Sequence, residues 1–211
     1  ETGTTDTFTV VLNAQPTTNV VLSIASSDTG ELTTTSSLTF TNANWDTPQT
    51  VTVTGVDDNI IDGTQTSTIT IAVIDAITDD AFDAVADQTV TATTTDDDVA
   101  GFTIAESSGS TSVAETETTD TFTIVLDAQP TSDVVLSISS SDTGEATATG
   151  TLTFTSANWN TPQTVTVTGV DDNIIDGPIS STLTISVIDA ITDDDFDAVA
   201  DQTVTATTTD D

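Results

Sequence analysis

The sequence contains no lysine, arginine or histidine, and no cysteine, methionine or tyrosine. Each absence removes a class of function. Without cations nothing in the chain neutralises phosphate, which excludes nucleic acid and anionic membrane surfaces as partners. Without histidine, cysteine or lysine there is no catalytic triad, thiolate, imidazole base or Schiff base. Zinc sites built on nitrogen and sulfur are excluded for the same reason. Aromatic residues are scarce, with seven Phe and two Trp. Paired carboxylates can hydrolyse glycosides, but here they fall in loops with too few aromatics to line a sugar cleft, so the chain reads as a non-enzyme. No apolar run approaches the roughly 20 residues of a membrane helix. The lack of cysteine says little about compartment. With no leader-like segment and no initiating Met, the chain reads as an internal piece of a longer protein.

What remains is acid and threonine. Thirty-five Asp and Glu give a formal net charge of −35, and 53 of the 211 residues are Thr. Such acidity favours disorder. Against that, 35% of the residues are hydrophobic, mostly Val, Ile, Leu and Ala, and they alternate with polar residues as half-buried strands do. The chain is expected to fold, provided that something neutralises its acid.

An internal repeat organises the sequence. Thr5-Asp6-Thr7-Phe8 returns as Thr119-Asp120-Thr121-Phe122, Trp45 as Trp159, Phe82 as Phe196, and Asp96-Asp97 as Asp210-Asp211. The offset is always 114 without a gap, and 79 of the 97 aligned positions are identical. A period of this length suits one globular domain. The expected domains are 1–97 and 98–211. The first copy lacks a counterpart of 98–114, including Gly101-Phe-Thr-Ile-Ala105, which reads as a first strand. The simplest reading is that a preceding repeat supplies that strand; a sharper one is that a neighbouring molecule donates it.

Strands are expected in the second copy at 101–105, 120–127, 133–139, 147–155, 163–169, 180–188 and 202–209, from β-branched content and a period of two. In 120–127, Phe122, Ile124 and Leu126 should face inward. Turns are marked by Gln129-Pro130, Asp142-Thr143-Gly144 and Asp176-Gly177-Pro178. No segment has helical periodicity; 189–201 reads as a long loop with room for a helical turn. Seven short strands in about 110 residues predict an all-β fold of tandem seven-stranded Greek-key β-sandwiches, immunoglobulin-like.

In such a sandwich, alternate loops share one pole. In the second copy that pole collects Glu115, Asp142, Asp171, Asp172, Asp176, Asp210 and Asp211. In the first it collects Glu1, Asp28, Asp57, Asp58, Asp62, Asp96, Asp97 and Asp98. Carboxylates this close disfavour one another's ionised form. Hard oxygen ligands alone select Ca2+ or Mg2+, and a flexible cage of several loops suits Ca2+, which takes about 6–8 oxygens.

A glutamate just before the second strand, the Asp-x-Gly turn, the Val-Asp-Asp-x-Ile-x-Asp loop and the run Asp96-Asp97-Asp98-x-Ala-Gly together resemble the Calx-β domain of sodium–calcium exchangers and bacterial surface proteins. The stretches 38–58 and 152–172 are also similar to repeats in very large bacterial adhesins. The resemblance implies a Ca2+ cluster at the acidic pole, with ligand roles for the fifteen acids just named and for the Ile174 carbonyl. Two departures weaken it. Asn59 and Asn173 stand where the exchanger pattern has a third acid, which implies fewer ions. Asp211 stands without the third Asp of that run, which implies an incomplete site in the second copy.

Other features read more plainly. Asp75, Asp79, Asp80, Asp83 and Asp87 and their copies read as solvated loop acids; alternatively Asp189, Asp193, Asp194, Asp195 or Asp197 completes a site begun by Asp96–Asp98 of a neighbouring repeat. Trp45 and Trp159 read as lids on the core rather than sugar platforms. Gly55 and Gly169 suggest a bulge turning the strand end toward the ion. The threonine rows read as exposed strand faces, with ice binding or O-linked glycan as alternatives.

The function expected from all this is a calcium-rigidified spacer in an extracellular, bacterial cell-surface adhesin or filament, with Ca2+ at the junction between repeats. Its partners would be neighbouring repeats, with any glycan or cell-surface ligand bound by other parts of the parent protein. The competing readings are a direct binding module for glycan, ice or a cell surface, and a self-assembling filament subunit with a donated first strand.

Overall fold

Thr-Val-Thr-Val alternation puts one face of each strand in water and the other in a core, and the structure, a computed structural model that describes residues 3–210, follows that alternation throughout. The chain separates into two compact units, Glu1–Asp58 with Asp62–Asp97, and Asn59–Ile61 with Asp98–Asp211. The first unit contains β1 (Thr5–Val10), β2 (Val20–Ser26), β3 (Leu32–Thr34), β4 (Ser37–Phe40), β5 (Gln49–Gly55), β6 (Gln65–Val73) and β7 (Gln88–Thr94). The second contains β8 (Phe102–Glu106), β9 (Thr111–Ala114), β10 (Thr119–Leu126), β11 (Val134–Ser140), β12 (Ala146–Ala148), β13 (Thr151–Phe154), β14 (Gln163–Gly169), β15 (Ile179–Val187) and β16 (Gln202–Thr209). The fold is all-β, and each unit is a two-sheet sandwich.

In the second unit the sheets run β12-β14-β10-β8 and β13-β11-β15-β16-β9. Phe122, Ile124 and Leu126 on β10 are buried, as expected, and meet Leu136, Leu183, Ile185 and Val204 from the facing sheet in one core. Each such side chain contributes on the order of 1.5–3 kcal/mol of burial. The first unit repeats the plan with sheets β1-β5-β3 and β4-β2-β6-β7 around a smaller core of Val20, Leu22, Ile24, Leu32, Phe40, Val51 and Ile69. Trp159 packs against the core of its unit, and its carbonyl accepts from the Leu126 amide (3.1 Å).

The structure departs from the expected strand list in two places. The single strand expected at 147–155 is two strands in different sheets, because the chain crosses from one sheet to the other at Thr149-Gly150: β12 pairs with β14, β13 with β11. The stretch after the first strand holds a further one, β9, which runs parallel to β16. The second unit therefore has nine strands rather than seven. The segment 189–201 holds two short 3-10 turns, Asp189–Ile191 and Asp194–Phe196.

Gly169 does not form a bulge. It stays in register with Ala146, and its α-carbon faces the backbone of Ala114, which would overlap any added β-carbon. It is glycine because β9 passes directly over it. At the turn between β9 and β10, Glu117 has φ 59°, and its counterpart Gly3 has φ 64°. A side chain in that region costs about 1–2 kcal/mol that glycine avoids. Glu117→Gly is expected to stabilise the second unit by about 1 kcal/mol, read as a raised urea midpoint at unchanged slope.

Candidate metal centre

Four segments bring acids to one end of the second sandwich. The turn after β9 delivers Glu115, whose amide donates to the Thr209 carbonyl (3.1 Å). The turn after β11 delivers Asp142 and Glu145. Asp142 caps its own turn through the Gly144 amide (3.0 Å), while the Glu145 carbonyl accepts from the Val170 amide (2.8 Å) and the Thr208 hydroxyl (3.2 Å). The loop after β14 delivers Asp172, which holds the Ile174 amide (2.6 Å), and Asp176. The end of β16 delivers Asp210, which binds the Gly177 amide (3.0 Å) and ties that loop down.

Glu115, Glu145 and Asp176 form the centre, each offering a carboxylate oxygen within 4.8 Å of the other two. Glu115 is 1% exposed and Glu145 7%. Glu115 Oε1 and Glu145 Oε2 are buried and have no hydrogen-bond partner among the described residues. Buried carboxylate oxygens left in that state are costly, and the chain has no cation to pair with them. Burial pushes both carboxyls above their ordinary 4.5. The neighbouring charges add to this: Asp210, Asp172, Glu145 and Asp176 around Glu115, and Asp176, Asp172, Asp142 and Asp210 around Glu145.

The donor set fits a hard divalent cation. Oxygens on opposite sides of Ca2+ stand about 4.6–5.2 Å apart, so the three nearest oxygens fit within one shell. Glu115, Glu145 and Asp176 would hold the ion, with Asp172 and Asp210 beside them. When bound, the ion supplies the positive charge that this pole otherwise lacks.

Of the acids expected in the second unit, Glu115, Asp142, Asp172, Asp176 and Asp210 do gather at this end. Asp171 is exposed beside Asp172, and Asp211 lies outside the described residues. Glu145 was not among the expected ligands. Its signal was present in the sequence, since Asp-Thr-Gly-Glu occurs unchanged in both copies at 28–31 and 142–145. The first unit builds the same pole around Glu31. That residue is buried; burial raises its carboxyl, the Thr94 hydroxyl (3.2 Å) offsets part of the rise, and the charges of Asp62, Asp28 and Asp58 add to it. Asp96 holds the amides of Asp62 and Gly63 (3.1 and 2.9 Å). Asp57 and Asp97 are exposed. Asp98 falls in the second unit, and Glu1 lies outside the described residues.

Two acids expected to be solvated are not. Asp79 and Asp193 are 7% and 3% exposed. Asp79 accepts from the amides of Thr18, Thr17 and Ala81 and from the Thr17 hydroxyl, which holds its carboxyl far below the ordinary range. For Asp193 burial pulls upward, but bonds from the Ser132 amide, the Thr131 hydroxyl and the Asp195 amide outweigh it. Asp79 pins the loop after β1, and Asp193 the matching loop after β10.

These shifts have opposite consequences for stability. A raised Glu115 or Glu145 means that the metal-free folded state keeps protons that the unfolded chain releases above about pH 4.5. Stability from these groups is full below that pH and is lost as pH climbs through their folded values. Asp79 and Asp193 act the other way: their contribution is present above the ordinary 3.8 and is lost as pH falls toward their depressed values. In EDTA, urea midpoints are therefore expected to peak in mildly acid solution and to decline toward neutrality. A midpoint that rises steadily to pH 7 would contradict the raised glutamates.

No family model matches this chain, and no curated protein sequence matches it. Among solved structures it is similar to S-layer protein SbsC domains 4 and 5, at 19% identity over 89% of this chain and 70% of that one, with a TM-score of 0.43. It spans 20% of a longer SbsC chain. It is also similar to the apo-form Calx CBD1 domain, at 13% identity over 52% of this chain and 97% of that one (TM-score 0.37), and to the calcium binding domain CBD12 of CALX1.1, at 16% over 87% and 74% (TM-score 0.33). At these identities the centre has to be read from its own residues. Among the described residues no helix is long and apolar enough to cross a membrane.

Proposed function

We propose that each unit is a calcium-stiffened spacer of an extracellular, bacterial surface protein, and that Ca2+ at the acidic pole locks a repeat to its neighbour. The observation that carries this reading is the pair of buried glutamate oxygens without partners, Glu115 Oε1 and Glu145 Oε2, in a chain with no cation of its own. The function follows from where the pole lies in the sequence. Asp96 fastens the 62–63 loop and is followed at once by Asp97, Asp98 and the start of the next repeat. An ion held there sits at the root of the linker, so its binding restrains the linker as well as the loops. Millimolar extracellular Ca2+ matches a weak site of many carboxylates. Strands of about seven residues with their loops give a rise on the order of 40–50 Å per repeat. Near-identity of the copies suits a spacer, whose task is length.

Small-angle X-ray scattering of the chain tests this directly. In about 2 mM Ca2+ the distance distribution should end sharply, at on the order of 80–100 Å for two repeats in line. In EDTA it should broaden and shift. Superimposable curves in the two buffers would end the spacer-by-calcium reading.

A further inference from the structure

On β6 and β15 one buried position carries a hydroxyl where hydrocarbon is the rule. The buried side chains of β15 are Ser181, Leu183 and Ile185; those of β6, their twins 114 positions earlier, are Ser67, Ile69 and Ile71. Ser67 and Ser181 are 1% and 0% exposed, and neither Oγ has a hydrogen-bond partner among the described residues. A hydroxyl in that state is costly to bury. The two copies diverge around it: Thr64-Gln65-Thr66 stands against Pro178-Ile179-Ser180, and Ile69 against Leu183, yet the serine is the same in both.

The strand register places this serine beside the acidic pole. Ser181 lies opposite Ala206, and Ile179 opposite Thr208, so Ser181 and Thr208 are diagonal neighbours on one face of the sheet. Asp176 precedes β15 and Asp210 follows β16. The turn that carries Glu145 is laced to the same strand end: the Ser141 amide donates to the Thr182 carbonyl, and the Ser141 hydroxyl accepts from the Thr182 amide (2.9 Å each). The first unit repeats this with Ser67, Thr94 and Ser27. There the Thr94 hydroxyl donates to Glu31 Oε2 (3.2 Å). In the second unit the Thr208 hydroxyl donates to the Glu145 carbonyl instead, and Glu145 Oε2 is left without a partner. That end of the sandwich thus buries a donor without an acceptor, Ser181 Oγ, and an acceptor without a donor, Glu145 Oε2.

We propose that Ser181, and Ser67 in the first unit, is a positioning residue of the acidic pole: its hydroxyl donates to the carboxylate of Glu145, or of Glu31, directly or across one water, and fixes which oxygen that glutamate turns toward a cation. Thr208 and Thr94 complete the same hydroxyl floor. The inference rests on the metal reading of this pole and adds to it residues that touch no ion. Partners behind a ligand orient it and raise its affinity for metal. A neutral donor suits the task, because it steadies the carboxylate without cancelling the charge that draws the ion.

The test uses the full chain carrying Ser67→Ala and Ser181→Ala together. By calorimetric titration this variant should bind Ca2+ about 10–100-fold more weakly than the parent. In EDTA it should melt at or above the parent, because a buried hydroxyl without a partner has been removed. A serine that only filled space would leave the Ca2+ affinity where it was. Equal affinity in parent and variant would therefore overturn this inference and leave the metal reading standing, whereas a parent that binds no Ca2+ would remove both. A lower melting temperature in EDTA would also count against it, since the hydroxyl would then serve the metal-free fold. As a second measurement, a crystal structure of the Ca2+ form should place Ser181 Oγ about 2.5–3.0 Å from a Glu145 carboxylate oxygen, or from a water bonded to that oxygen. An Oγ bonded elsewhere would overturn the assignment.

Discussion

Removing calcium is expected to lower the melting temperature of this protein by on the order of 10 °C, with Mg2+ a poor substitute. Binding to the folded state at about 100 times the dissociation constant adds about 2.7 kcal/mol, and each kcal/mol moves a domain of this size by about 4–8 °C. The physical source is the pair of buried carboxylates, Glu115 and Glu145, which face Asp172, Asp176 and Asp210 with no internal counter-charge. Binding energy at such a site is partly folding energy. The variant Glu145→Gln separates this account from a general salt effect. In Ca2+ it should melt well below the parent, having lost a ligand. In EDTA it should melt at or above the parent, having lost a buried charge. A shift that survives Glu145→Gln unchanged, or no shift at all, would remove calcium from this pole.

The second large effect is an asymmetry between twins. Phe122→Ala is expected to cost about 3–5 kcal/mol, the usual penalty for emptying a buried aromatic site. Phe8→Ala, the same substitution in the same local sequence, should cost about 1 kcal/mol, because Phe8 borders an open cleft and already meets water. Trp45 and Trp159, the only two tryptophans, allow each unit to be followed alone, with the other replaced by Phe. Equal losses in the two units would show that β8 and β9 contribute little to the second core.

Much of this architecture is legible in the alternation of residues. Phe122-x-Ile124-x-Leu126 and Val165-x-Val167 give strand, face and core at once, because a period of two fixes all three together. The gathering of Asp142, Asp172, Asp176 and Asp210 follows from chain direction in a sandwich. The pattern fails where spacing carries no information. Thr111–Ala114 is four residues long, and it becomes a strand because β16 offers an edge and Gly169 leaves room above it. The break between β12 and β13 rests on the chain changing sheets, which Thr149-Gly150 permits but does not announce. Glu145 was hidden because it precedes a strand and is buried, whereas loop acids such as Asp171 draw the eye and stay in water. Asp79 and Asp193 were misread for the converse reason: their neighbours Asp80 and Asp194 are exposed, and amides and hydroxyls from a loop distant in sequence, Thr17-Thr18 and Thr131-Ser132, set them apart.

The pairing of β9 with β16 bears on how the second unit would behave under tension. β9 lies near the start of that unit and β16 at its end, and they run parallel through four residue pairs, from Ala206 with Thr111 to Thr209 with Ala114. A pull on the two ends of the unit therefore drags these strands past one another. Their hydrogen bonds are loaded together, in shear, and must give way almost at once rather than one after another as in a peeled hairpin. β8 can peel first and pay out slack, but the load then comes to rest on the β9–β16 seam, beside Glu115. An ion at that pole would rivet the seam at its far end, so the repeat is wired to yield late and abruptly when the chain is stretched.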